Sequence, residues 1–206
     1  MVETIATEKS ATERPARAPS LSVEDRQSML IDVVTPLLLQ HGRAVTTKQI
    51  AECAGIAEGT IFRAFGSKDE LIRAAIDRHL DPEPFRAQLR LVDLDLPLEE
   101  RITAIVTLMR ERFTTVFTLM SALGATGPPP HSDDGRREFA EIISRSLAGD
   151  AARLNVDPAR AAQIVRMIAL AASVPQMRNG QSFDDGEIAA LILYGIAGRP
   201  ADRVSN

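Results

Sequence analysis

Apolar residues recur along this chain three and four positions apart, and no stretch sustains the every-second-residue alternation of a half-buried strand. Leu30, Val33, Val34, Leu37 and Leu38 make the first such stripe, one face of an amphipathic helix. It opens at Ser22, where Asp25 stands at the capping-box position, and closes near His41 and Gly42. Pro36 lies inside it; lacking an N–H, it should bend the helix or leave a carbonyl to water. Two short patterns follow, TTKQIAECAG and AEGTIFRAF, meeting at Gly55, a residue suited to the positive φ that ends one helix and swings the chain into the next. Ile50, Ala51 and Ala54 share a face of the first, and Ile61 and Phe65, four apart, share a face of the second. SKDELIRAAIDRHL reads as a further helix capped by Ser67 with Glu70 completing a capping box, and Asp81-Pro82-Glu83-Pro84 closes this first unit.

A short helix is expected over 84–92. Beyond it lies the longest periodic run of the chain, carrying Ile102, Ile105, Val106, Met109, Phe113, Val116, Phe117 and Met120. Gly124 to Gly135, with three prolines, reads as a stiffened loop in which His131 is solvated. A helix over 135–149 presents Phe139, Ile142, Ile143 and Leu147, and two last helices are expected over 157–173 and 185–198. The final one, EIAALILYGIAG, is apolar almost all round and must be covered on more than one side. The fold class is therefore all-α. Residues 1–20 lack apolar period and read as a disordered arm, 21–81 as a helix-turn-helix domain, and 82–206 as a larger helical domain.

Composition narrows the function. A chain of 206 residues, 45% hydrophobic, can bury a sizeable core. No apolar run reaches membrane-spanning length, and the acidic residues Glu3, Glu8 and Glu13 do not suit a signal peptide, so a cytoplasmic protein without membrane association is expected. The single cysteine, Cys53, has no internal disulfide partner, and its place within a short helix suggests packing. His41, His79 and His131 lack ligand spacing, the Gly-rich phosphate-binding patterns are missing, and acidic pairs such as Glu99-Glu100 read as helix starts. No enzyme activity, metal or cofactor is expected.

The two helices meeting at Gly55 form a helix-turn-helix whose second member keeps a free polar edge of Glu58, Gly59, Thr60 and Arg63, the part of such a unit that enters a DNA major groove. Arg63 can donate two bonds to guanine, Thr60 can touch a thymine methyl, and Gly59 allows close approach of the backbone. Glu58 can accept from cytosine N4 or simply complement the helix dipole. Thr46 with Gln49 makes a capping box that leaves backbone N–H groups free for a phosphate, and Lys68 adds a cation at the next helix start. Lys9, Arg14 and Arg17 belong either to a solvated tail or to an arm reaching the minor groove. The net charge of −4, with seven Lys or Arg against eight Asp or Glu over residues 22–80, argues against indiscriminate nucleic-acid binding but not against specific binding.

From Val45 to Leu71 the chain resembles the TetR family of bacterial transcriptional regulators, matching its signature at Thr46, Thr47, Ile50, Ala51, Ala54, Gly55, Ile56, Gly59, Thr60, Ile61, Phe65, Ser67, Lys68 and Leu71. The close likeness covers about the first 80 residues. The resemblance implies that Thr46 and Thr47 contact phosphate and that Lys48 reaches a phosphate or a guanine edge. Three positions depart from it: Ala57 where Ser or Thr usually caps the reading helix, Phe62 where a tyrosine usually gives its hydroxyl to phosphate, and Ala64 in place of the usual histidine. It further implies a homodimer on double-stranded operator DNA, a repressor released by an unknown small apolar or amphipathic effector. The stripe of the long periodic run reads first as core; in the alternative, Met109, Phe113, Phe117, Met120, Phe139 and Met167 are the candidate pocket residues. Ile168, Ala172, Ile188, Leu191, Ile192 and Gly195 are the candidate dimer interface, with Ala169, Ala189 and Ala190 allowing close helix approach. Alternatives are a regulator whose second domain only dimerises or binds a partner protein, and a helical small-molecule-binding protein without DNA function.

Overall fold

In the computed structural model, residues 22–125, 133–174, 177, 180 and 182–195 are described, and all of their regular structure is helical. The order is α1 (Val23–His41), a 3-10 turn (Gly42–Ala44), α2 (Thr47–Ala54), α3 (Glu58–Phe65), α4 (Lys68–Leu80), α5 (Glu83–Arg90), α6 (Leu98–Ala122), α7 (Asp133–Leu147), a second 3-10 turn (Ala148–Arg153), α8 (Pro158–Ser173) and α9 (Asp185–Tyr194). The arm over 1–20 and the chain beyond Gly195 lie outside the described residues, as does most of the proline-rich loop.

Helices start at the cap residues expected from the sequence, but of the three expected capping boxes only the one at Thr46 is complete. The Ser22 hydroxyl accepts from the Asp25 N–H, Thr46 and Gln49 form a complete capping box, and the Ser67 hydroxyl accepts from the Glu70 N–H. Asp157 caps α8 and Asp184 caps α9 with Glu187 reciprocating. Helix α1 runs unbroken through Pro36, whose ring faces solvent. Its polar outer side leaves the carbonyl that proline orphans open to water.

Two hydrophobic clusters divide the molecule. The smaller gathers Leu30, Val34, Leu38, Val45, Ile50, Ala51, Ile61, Leu71, Ile72 and Ala75 from α1 to α4, together with Leu119 of α6. The larger contains Ile102, Ile105, Val106 and Met109 of α6 with Ile142, Ile143 and Leu147 of α7, Val165 and Ala169 of α8, and Ile188 and Ala189 of α9. Helix α6, 25 residues and so roughly 37 Å long, is the element common to both. Its far end is seated against the first domain: Gly42, at φ +56°, is buried so close that an added Cβ would lie 2.3 Å from the Ala122 carbonyl oxygen.

A second tie joins the same two bodies. Arg112 of α6 donates from Nη1 to the His79 carbonyl at 2.9 Å and from Nη2 to the Leu80 carbonyl at 2.5 Å, satisfying the end of α4. Burial holds the neighbouring His79 imidazole below its ordinary pKa, with Arg112 adding to the effect and a hydrogen bond to the Thr115 backbone opposing it. At the opposite end of the larger domain, Arg101 is buried and pairs with Asp150, which also takes Arg153 at 3.0 Å; Arg153 reaches Glu99 at 3.3 Å, and the Tyr194 hydroxyl donates to Glu99 at 2.6 Å. The Tyr194 bond is the main reason the Glu99 carboxyl sits below the usual range. This polar chain fixes α9 against the start of α6.

Two sequence expectations are corrected here. Cys53 is exposed rather than packed, because on α2 the inward direction is set by Ile50, Ala51 and Ala54, and residue 53 falls about 100° off it. Ile188, expected at a dimer interface, is 2% exposed within the single chain, and Ala169 and Ala189 are buried with it, since one side of the apolar α9 is already covered by α6 and α8.

Gly42→Ala should destabilise the fold by about 3 kcal/mol, combining a left-handed backbone with an unavoidable clash. Gly55→Ala, at φ +65° but with nothing within 4 Å of the added methyl, should cost only about 1 kcal/mol. Urea unfolding of the two variants beside the parent protein measures the difference.

Candidate nucleic-acid interface

Helix α3 is held from behind by three contacts. Ile61 is wholly buried in the small core, Phe65 packs half-buried against it, and Gln27 of α1 donates from Nε2 to the Ala64 carbonyl at 2.7 Å. Gln27 is missed by reading motifs alone, yet it lies on the apolar stripe of α1, three residues before Leu30; a polar residue on that line signals an inward hydrogen bond. Gly55 takes the left-handed conformation, φ 65° and ψ 33°, and its N–H is bonded back to the end of α2. That turn delivers α3 across α2 with its outer edge free.

On that edge Glu58, Gly59, Phe62 and Arg63 are exposed and Thr60 is half-buried. Phe62, 48% exposed, presents its ring without the hydroxyl that the resemblance would have there. Arg63 bonds through Nε to the Gly59 carbonyl at 3.2 Å, which folds its stem along the helix and leaves the terminal nitrogens outward. Ala57 supplies no side-chain cap, so α3 begins on the Thr60 N–H to Ala57 carbonyl bond alone.

The other expected contacts surround this edge. Thr46 is occupied with Gln49, and the Thr47 hydroxyl donates to Glu58 Oε2 at 2.6 Å, joining the first turns of α2 and α3. Lys48 is exposed, 3.9 Å from Glu52. Lys68 is more engaged than expected: its ammonium donates to the Val45 carbonyl at 3.0 Å and the Arg43 carbonyl at 3.4 Å, tying the start of α4 to the segment before α2.

In the larger domain the expected pocket residues do not share one surface. Met109 and Phe139 are buried in the core, Phe139 stacked on Phe85 with ring centroids 5.8 Å apart. Phe113, Phe117 and Met120 are half-buried along α6. Met167 is 63% exposed on the outer side of α8, away from the buried line Ala161, Ala162, Val165 and Ala169. Its helical position, two residues past Val165, turns it to the opposite side. Of the expected interface residues, Leu191 is 40% exposed, Gly195 is exposed, and Ile168, Ala172 and Ile192 are half-buried.

The molecule is a helical body carrying an N-terminal helix-turn-helix whose outer edge is free. Residues 30–75 match the family described as bacterial regulatory proteins, tetR family. The nucleoid occlusion factor SlmA of Haemophilus ducreyi is 36% identical over 69 residues, 32% of this chain and 34% of that protein, so the alignment spans only about a third of that relative. The HTH-type transcriptional regulator Mb3439c of Mycobacterium bovis is 28% identical, with 72% of this chain and 95% of that protein covered. Among solved structures, the TetR/AcrR-family transcriptional regulator of Thermobifida fusca superposes with a TM-score of 0.55 at 26% identity, covering 84% of this chain and 98% of that one. The tetR-family match thus covers the helix-turn-helix head, and the all-helical fold beyond it is shared with the Thermobifida fusca regulator.

Ala57→Ser should stabilise the protein by about 1 kcal/mol, because residue 57 already has the extended backbone of an N-cap and lacks only the hydroxyl. A rise in thermal midpoint without change in helix content checks it.

Proposed function

We propose that this regulator is a homodimeric repressor. Each subunit lays α3 in a major groove of operator DNA, with the two heads spaced by about one helical turn, roughly 34–36 Å. The observation that carries this reading is the division of α3 itself: Ile61 is wholly buried while Glu58, Gly59, Phe62 and Arg63 stand in solvent beside the start of α2. Thr46, Thr47 and Lys48 would meet phosphates, and Thr60 and Arg63 base edges. Lys68 contributes by holding the 43–45 segment in place, with its remaining donor available to a phosphate. The site of action is cytoplasmic, and no helix among the described residues is long and apolar enough to cross a membrane.

The dimer is assigned to the outer faces of α8 and α9. Met167 and Leu191 are exposed apolar residues there, flanked by Ile168, Ala172 and Ile192, and a two-fold copy of the same two helices would cover them as a four-helix bundle. A small apolar effector meeting the half-buried Phe113, Phe117 and Met120 on α6 would act on the heads through the Arg112 and Leu119 contacts, by as much as its affinity differs between the two arrangements. A second reading, in which the larger domain only dimerises or binds a partner protein, draws on the packing of Met109 and Phe139 into the core.

Mobility shifts with DNA from upstream of the protein's own gene test the DNA function. A sequence-selective shift that weakens steeply with salt is expected, and Arg63→Ala should weaken it at least about tenfold. A shift unaffected by Arg63→Ala, or none at any upstream fragment, contradicts the reading. Sedimentation tests the interface: Leu191→Arg combined with Met167→Arg should yield folded monomers, and a dimer that survives both moves the interface elsewhere.

A further inference from the structure

The Thr47 hydroxyl would be one of the phosphate donors at the start of α2, yet in this structure it is spent on a carboxylate. It donates to Glu58 Oε2 at 2.6 Å, and Glu58 is the first residue of α3. Thr46 already caps the Gln49 N–H, so the free N–H groups and positive end of α2 remain beside that carboxylate. A carboxylate oxygen accepting from Thr47 next to a helix N-terminus has the charge and acceptor geometry of a DNA phosphate oxygen. Around it, Lys48, Glu52 and Glu58 share one shallow groove floored by Ala51 and Ile56, and Lys48 sits 3.9 Å from Glu52. Glu52 thus blunts the cation at the start of α2.

We infer that Glu58 is the specificity-determining residue of the head, an internal phosphate mimic that suppresses binding to arbitrary DNA and is released where the base facing it carries an exocyclic amino group. The inference rests on the DNA-binding reading above and deepens it. To engage a phosphate with Thr47, the protein must move the Glu58 carboxylate away and leave it facing the groove. Where guanine, thymine or a phosphate faces it, the carboxylate meets only acceptors and is repelled. Where cytosine N4, or less favourably adenine N6, points into the major groove at that position, the carboxylate regains a donor. The low positive charge of the head, a weakness for general affinity, serves the same end: little indiscriminate attraction remains to mask the base-dependent step.

The experiment selects binding sites from a random duplex library with the full-length protein and its Glu58→Gln variant. Salt titrations on a mixed-sequence duplex and on the selected site follow. Gln keeps an acceptor for Thr47 but removes the charge. The expected result is that Glu58→Gln binds mixed-sequence duplex about tenfold more tightly, steepens the log–log salt slope there by about one, and loses a cytosine-defined position from its selected site. Glu58→Asp should restore the charge and part of the discrimination. If wild type and Glu58→Gln select the same site with the same discrimination and salt slope, Glu58 is only a tie between two helices, and the inference fails while the DNA-binding reading stands. Loss of thermal stability in Thr47→Val and Glu58→Gln without any change in discrimination would overturn it in the same way. A wild-type protein that selects no sequence overturns both.

Discussion

Leu119 packs in the cluster that holds Leu30, Ile50, Ile61 and Leu71, while earlier on the same helix Met109 belongs to the core built with α7, α8 and α9. A single stiff rod therefore takes part in two hydrophobic cores, and neither domain can choose its position without the other. Packed interiors do not deform continuously, so a displacement of α6 in the large core must appear as a displacement of its tip against α1 and Gly42. Arg112 adds direction to this constraint, since its two donors hold the last carbonyls of α4, the helix that follows the reading helix in the chain. The heads are thus referenced to the body at two points, one apolar and one polar.

The electrostatics of the head run against the simple expectation for a nucleic-acid-binding domain. Its cations are mostly committed: Lys68 to carbonyls, Arg78 to Asp32 and Ser28, Lys48 near Glu52. Each exposed pair contributes little to stability. Their larger consequence is to lower the general attraction of the head for a polyanion. The missing cap at Ala57 and the missing hydroxyl at Phe62 point the same way, toward a head with modest intrinsic affinity.

Much of this was legible from local rules. The caps at Ser22, Thr46, Ser67 and Asp157 and the left-handed turn at Gly55 depend on residues a few positions apart, and they stand where their chemistry puts them. Periodicity also identified the buried faces of α2 and α3 and the first half of that of α6, but it passed over Leu119, the residue α6 places in the smaller core. It failed where burial depends on which neighbour arrives. Met167 belongs to an apolar run but faces outward, Ile188 lies on the side of α9 that the rest of the chain covers, and Cys53 sits about a quarter-turn from the packed face of α2. One pocket joining Met109, Phe139 and Met167 would require three helices to present those residues to a common space, and they do not.

What the sequence determined by itself was the set of helices, most of their starts and the helix-turn-helix, because capping bonds, glycine conformation and the 3.6-residue period act within a turn or two of chain; the last helix, expected to reach 198, ends at Tyr194 with Gly195 as its cap. Only the tertiary structure decided that α6 is shared between two cores, that Arg112 closes the end of α4, and that Thr47 is bonded to Glu58. Those contacts join residues from 11 to 33 positions or more apart along the chain. Their partners are chosen by packing and by the need to satisfy buried polar groups, conditions that exist only once the helices have met.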